Sequence, residues 1–191
     1  REVRVREERF AGDRRAAAER LQDPSTVLER ANDLLCPDMP PKMFCTCLFA
    51  VLDPQSGLLR YANAGHDLPY RRNATGVDEM RATGMPLGLL PGMRYDEKQI
   101  TLLPGETVVF YSDGIVEARS PSYDMFGFNR LRDLIAQHDC GEDLVPYLLE
   151  QLAQFTGEDW EQEDDVTIVT LRRWSQQNAL PGAVADAMEQ E

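Results

Sequence analysis

Histidine and paired cysteine are the first things missing. The 191-residue chain has two histidines, His66 and His138, and four cysteines, Cys36, Cys45, Cys47 and Cys140, none of them in C-x-x-C spacing. That removes the usual zinc modules, which need closely spaced thiolate and imidazole ligands. Cys45 and Cys47 lie in an apolar run where a period of two puts both on one strand face. They read as small buried apolar residues, with a redox or zinc role as the alternative. Positive charge is short as well: 20 Lys and Arg stand against 33 Asp and Glu, giving a formal charge of -13. A nucleic-acid partner is disfavoured, because affinity for that backbone comes from Lys and Arg neutralising phosphates. No apolar run approaches the roughly 18 to 20 residues that cross a bilayer. The opening stretch, Arg1 to Arg20, is charged where a secretory leader would be apolar. The expectation is a soluble cytoplasmic protein with neither a nucleic-acid nor a membrane partner.

What is present suffices for a core. Hydrophobic residues make up 42% of the chain and charged residues 28%, a balance that argues against global disorder. The length suits one domain with appendages. We expect a charged N-terminal arm over 1–22, a domain over 23–173 and a polar tail over 174–191. Asp23-Pro24 reads as a helix start, and Val27, Leu28, Ala31, Leu34 and Leu35 follow at helical spacing until Pro37. Phe44 to Leu52 and Leu58 to Asn63 read as a hairpin about Asp53 to Gly57. The continuous apolar character of the first strand predicts that both its faces are covered. Tyr70 to Arg72 and Glu79 to Arg81 form a second hairpin signal, Arg94 to Leu102 a further strand, and Thr107 to Tyr111 another, so this segment reads as a meander. Helices are expected over Phe128 to His138 and Asp143 to Phe155, then a buried strand from Val166 to Leu171. Strands in a block, helices in a block and one returning strand indicate α+β.

Two acidic motifs carry the chemistry. Tyr111-Ser112-Asp113-Gly114 places a carboxylate where an apolar strand runs out, and Asp164-Asp165-Val166-Thr167 places two where another begins. If those strands are neighbours and antiparallel, Asp113 and Asp164 converge, and converging carboxylates repel unless a cation lies between them. Hard cations such as Mg²⁺ or Mn²⁺ prefer such all-oxygen surroundings. The plainer alternative is that Asp-Gly is a turn dipeptide and that Glu158 to Asp165, with six carboxylates in eight residues, is a solvated acidic loop.

Taken in order, Tyr61-Ala62-Asn63-Ala64-Gly65-His66, Pro86-Leu87-Gly88-Leu89, Ser112-Asp113-Gly114-Ile115-Val116-Glu117-Ala118, Phe126-Gly127 and Asp164-Asp165-Val166-Thr167 resemble a known family. It is the metal-dependent protein phosphatase 2C-like domain of the bacterial sporulation stage II E and RsbU type. The resemblance runs from Asp23 to Arg172. It implies an α-β-β-α sandwich, a two-metal Mg²⁺ or Mn²⁺ centre, and hydrolysis of phosphoserine or phosphothreonine on a protein by metal-activated water. It also implies a phosphorylated STAS-domain partner, an anti-sigma-factor antagonist, and leaves a homodimer open. Asp113 and Asp164 match the family's metal-binding carboxylates, with Asp165 as either a further metal candidate or a group that supports the ligands and fixes the loop. His66 is either a proton donor to the leaving alkoxide or a structural residue bonding the loop that begins at Asp67. Arg119, just past Asp113, and the apolar loop around Met85, Leu87, Leu89 and Leu90 are candidates for holding the phosphorylated segment and the partner's body. In the alternative, the arginines are solvated and the loop packs on its own core.

The sequence departs from that family at its start. The expected Gly-Gly-Asp motif survives at most as Ala11-Gly12-Asp13, followed by Arg14-Arg15-Ala16, and the Asp-Val-Ser-Gly-His-Gly motif is absent. Asp13 is therefore a candidate bridging ligand only as a remnant. Three explanations stay open: residues missing between Gly12 and Ala16, a catalytically dead descendant used for binding, or completion of the sheet by another chain.

Overall fold

The computed structural model describes residues 23–138, 143–157 and 164–174. The expected arm over 1–22 with Asp13, Cys140, the acidic residues Glu158, Asp159, Glu161 and Glu163, and the tail from 175 onward lie outside the described residues.

Helix α1 (Pro24–Leu35) starts at the expected place, with Pro24 in its first turn and the Asp23 carbonyl accepting the Val27 N–H at 3.1 Å. The Asp23 carboxylate does not cap the helix. It accepts from Arg60 Nη1 at 2.6 Å and ties α1 to the sheet beneath. Strands β1 (Cys47–Leu52) and β2 (Leu58–Ala64) form the expected hairpin, in register from Cys47 opposite Ala64 to Leu52 opposite Leu59. Its turn is built by Asp53, which accepts from Gln55 N–H at 2.9 Å and from the Ser56 hydroxyl at 2.7 Å. Those bonds hold the Asp53 carboxyl below its ordinary range, the Ser56 bond contributing most.

Strands β3 (Tyr70–Asn73) and β4 (Gly76–Glu79) follow, then β5 (Lys98–Thr101) and β6 (Thr107–Tyr111). After β6 come the one-turn α2 (Asp113–Val116), α3 (Phe128–Gln137), α4 (Leu144–Thr156) and β7 (Ile168–Arg172). The strands do not make the expected meander. They form two sheets, β1-β2-β5 and β4-β3-β6-β7, and the chain crosses between them after β2, after β4 and again after β5. The strand expected over Arg94 to Leu102 shrinks to four residues, because Tyr95 is buried against the α1 side of the first sheet instead of pairing.

Three apolar layers fix the order. Leu28 of α1 packs with Ala62, Ala64, Leu87 and Tyr95 over one face of the first sheet. Between the sheets lie Leu59, Tyr61, Met80, Leu102 and Val108. The outer face of the second sheet buries Val109 and Tyr111 against Leu131, Ile135, Leu148 and Leu152 of α3 and α4. The fold is thus an α-β-β-α sandwich of the α+β class, held by burial of roughly 1.5 to 3 kcal/mol for each large apolar side chain.

β1 corrects two expectations. Its six residues are all half-buried, not covered on both faces. It is an edge strand that pairs only with β2 among the described residues, so a wholly apolar sequence ends up half-covered. Cys45 is exposed, contrary to expectation, whereas Cys47 is half-buried and packs against the layer under α1, at the margin of the core. The Cys47 thiol is pushed up by partial burial and, less, by neighbouring Cys45.

At one end of the sandwich the two sheets are bolted together. Glu106, 7% exposed, accepts from Arg71 Nη2 at 2.5 Å, Arg71 Nε at 3.1 Å and Leu103 N–H at 2.7 Å, and Arg71 Nη2 also donates across to the Thr101 carbonyl of β5 at 3.0 Å. Arg173 donates to the carbonyls of Ser56, Leu102 and Gln55 at 2.7, 2.7 and 3.1 Å, joining the β1–β2 turn, the end of β5 and the end of β7.

Candidate metal and active site

The opposite end of the second sheet collects the acidic motifs. β6 and β7 are neighbours and antiparallel, with Tyr111 opposite Ile168, so the exit of one strand meets the entry of the other. Ser112 carries the pairing one step further. Its N–H donates to the Thr167 carbonyl at 3.0 Å, and its hydroxyl accepts from Thr167 N–H at 2.9 Å while donating to the Asp165 carbonyl at 2.9 Å. The condition set by the sequence is met: the chain segments bearing Asp113 and Asp164 lie side by side.

Asp113 does not sit in a glycine turn, as its Asp-Gly context suggested, but opens α2. Gly114 is buried and serves close approach rather than turning: a Cβ there would stand 2.7 Å from the Asp165 carbonyl oxygen. The Asp113, Asp164 and Asp165 side chains are exposed, above the buried anchors Ile115, Val116, Val166 and Ile168. Asp164 Oδ1 accepts from the N–H of Asp165 at 2.7 Å, which fixes the loop entering β7.

His66 and Asp67 complete the neighbourhood. The side chain of Asn63 grips the backbone of His66 on both sides, accepting its N–H at 2.7 Å and donating to its carbonyl at 2.8 Å. His66 Nδ1 lies 3.2 Å from the Asp67 carbonyl, a contact that needs the proton on Nδ1. Both residues line a cleft of about 390 Å³ with Ser112, walled by Leu48, Phe110 and Val169. Asp67 Oδ2 is buried there with no hydrogen-bond partner. Burial pushes its carboxyl above the ordinary range; nearby His66 opposes this, and the charges of Asp113 and Glu117 add to it. Sequence reasoning missed Asp67; its one signal was its place directly after Gly65-His66 at a strand end.

The donors suit a hard cation in kind: the cleft holds the orphaned acidic oxygen of Asp67, and the exposed carboxylates of Asp113, Asp164 and Asp165 stand on the segments flanking its Ser112 and Thr167. In number it is short: among the described residues no three His, Cys, Asp or Glu side chains are grouped to hold an ion. Asp13 lies outside the described residues.

The partner candidates fall elsewhere. Arg119 is exposed on the hairpin after α2, pairs across it with Met125, and donates from Nη1 to the Tyr123 carbonyl at 3.2 Å. In the apolar loop Met85, Leu89 and Leu90 are exposed, but Leu87 is buried and exchanges two backbone bonds with Cys45, contrary to its exposed-looking context.

The profile of a family described as Stage II sporulation protein E (SpoIIE) matches residues 13–174. Protein IcfG of Synechocystis sp. is 31% identical over 133 residues, covering 69% of this chain and 21% of that protein. Phosphoserine phosphatase RsbU of Bacillus subtilis is 28% identical over 157 residues, covering 78% of this chain and 45% of that protein. The chain spans less than half the length of either relative. The solved SiaA-PP2C domain of Pseudomonas aeruginosa shares the fold with a TM-score of 0.68 at 22% identity, over 79% of this chain and 60% of that one.

Proposed function

The chain belongs to the SpoIIE family of phosphatase 2C-like domains, and from that premise we propose that it is a divalent-metal-dependent hydrolase of phosphoserine or phosphothreonine on a signalling protein. The phosphatase-like unit is the segment 23–173. The observation that carries the reading is the convergence of Ser112-Asp113 with Asp164-Asp165 at facing ends of β6 and β7. Asp113 and Asp164 would hold Mg²⁺ or Mn²⁺, with Asp13 as a further ligand. When bound, such a cation would supply Lewis acidity and an acidified water as the nucleophile toward phosphorus. Ser112 keeps the two carboxylate-bearing segments in register, Asp165 pins the loop through its backbone, and His66 stands in the cleft where a leaving oxygen would need a proton.

The substrate we favour is a phosphorylated STAS-domain anti-sigma-factor antagonist, with Arg119 toward the phosphorylated segment and Leu89 toward the partner's body. Purified protein with Mn²⁺ should release phosphate from such a partner and from an aryl phosphate, and Asp113→Asn should abolish both. Activity that survives chelator and this substitution defeats the metal mechanism. Leu89→Asp should weaken only the protein reaction; equal losses on both substrates would assign the loop to the fold.

A second reading is favoured by the absence, among the described residues, of three grouped metal-ligating side chains: a phosphatase-like module that binds its partner without turning it over. Mn²⁺ titration by calorimetry separates the two, since tight binding at two sites rules out the second.

A further inference from the structure

Two buried asparagines stand where apolar residues would be expected. Asn32 is 0% exposed and falls on the core-facing stripe of α1, four residues after Leu28. A leucine there would bury more apolar surface, so the amide needs another reason. Both its ends are used on a loop far along the chain. Oδ1 accepts the Gly88 N–H at 3.0 Å and Nδ2 donates to the Leu90 carbonyl at 2.9 Å. Asp33 adds a bond from Gly92 N–H at 3.3 Å. The same loop presses on the cleft segment from its other side. A Cβ at Gly65 would stand 2.6 Å from Pro86 Cγ, and one at Gly84 would stand 2.4 Å from the Asn63 carbonyl oxygen. Asn63, 2% exposed, then holds the His66 backbone by both its N–H and its carbonyl.

We propose that Asn32 and Asn63 are positioning residues at the two ends of a relay, through which the placement of α1 sets the placement of His66 and Asp67 in the cleft. Each link is a hydrogen bond or a backbone contact with no room for a side chain, so the loop cannot slide on α1 without moving Gly65. The catalytic weight of the relay rests on the phosphatase reading; its mechanical existence does not.

The chain's two histidines make the test direct. His138 lies beyond the second sheet, at the end of α3, with its ring 4.8 Å from that of Tyr147. Ring ¹H–¹³C spectra of the full chain, recorded without metal or substrate, therefore report the cleft and a remote site at once. Asn32→Leu should displace the His66 cross-peak and leave that of His138 in place, and Asn63→Asp, which loses the donor to the His66 carbonyl, should do the same. Leu102→Ala, chosen as a control for general loosening of the core between the sheets, away from α1, should lower the melting temperature without displacing His66. Should Asn32→Leu not fold, Asn32→Asp keeps the acceptor for Gly88, loses the donor to Leu90, and is expected to move His66 in the same sense. A His66 signal unchanged in a folded Asn32 variant, or displaced equally by Leu102→Ala, overturns the relay. Since the spectrum needs no turnover, an inactive wild type whose Asn32 variant displaces His66 rejects the phosphatase reading alone, and an active wild type whose Asn32 variant leaves His66 in place rejects the relay alone.

Discussion

Strand β6 has an acid at each end, and the two could hardly be treated more differently. Glu106, just before the strand, is nearly sealed from solvent and accepts from Arg71 and from the Leu103 amide. Asp113, just after it, is exposed and faces a segment bearing two more carboxylates. At the first end every acidic oxygen in use has a donor, and the sheets are clamped by Arg71 and Arg173. At the second, segments bearing like charges run side by side next to a mostly apolar cleft that holds an acidic oxygen without a partner, Asp67 Oδ2. One end spends its charge on stability. Under the proposed function, the other keeps it for a ligand.

That contrast can be broken in order of size. Glu106→Ala leaves the Arg71 guanidinium without its counter-charge and should cost about 3 kcal/mol in urea unfolding, as removal of one partner from a largely buried pair does. Next comes Asn32→Leu, which strands Gly88 N–H and the Leu90 carbonyl and should cost about 2 kcal/mol by the same measurement. Asp67→Asn should act in the opposite direction. The folded Asp67 binds its proton more tightly than an unfolded aspartate does, so its ionisation removes stability as pH rises through the raised folded value. The variant should therefore melt with wild type below the ordinary aspartate pKa of about 3.9 and above it at neutral pH. A melting-temperature difference that does not change with pH would show that Asp67 is not held against ionisation. Smallest of all, Asp113→Asn in metal-free buffer should change stability by no more than about 0.5 kcal/mol. Its effect should appear only on adding Mn²⁺, as loss of the thermal upshift that a folded-state ligand gives.

How legible this was depended on sequence distance. The start of α1 at Asp23-Pro24 and the turn from Asp53 to Gly57 are local chemistry and stood where they were read. The convergence of Asp113 and Asp164 was also legible, because two apolar strands each ending in an acid leave few other arrangements. The crossing of the chain between sheets was not, since a hairpin has the same pattern whichever sheet it joins. Nor were the long-range polar contacts: Asn32 with Leu90 spans 58 positions and Arg71 with Glu106 spans 35. β1 misled for a related reason. Apolar content records what a strand could bury, whereas its half-exposure follows from its edge position.

Gly114 sets a dimension of the candidate site. Because the Asp165 carbonyl stands where its Cβ would be, the spacing between the two acidic segments is gauged by bare backbone, the least compressible stop a protein has. A side-chain spacer would let that gap breathe with each change of rotamer. The coordination shells of Mg²⁺ and Ca²⁺ differ by only about 0.3 to 0.5 Å, so under the proposed function a shift of that size would matter to the ion held. The smallest residue in the motif would in this way act as the calliper that decides which ion the larger ones can grip, and Gly114→Ala should open the jaw toward the bigger cation.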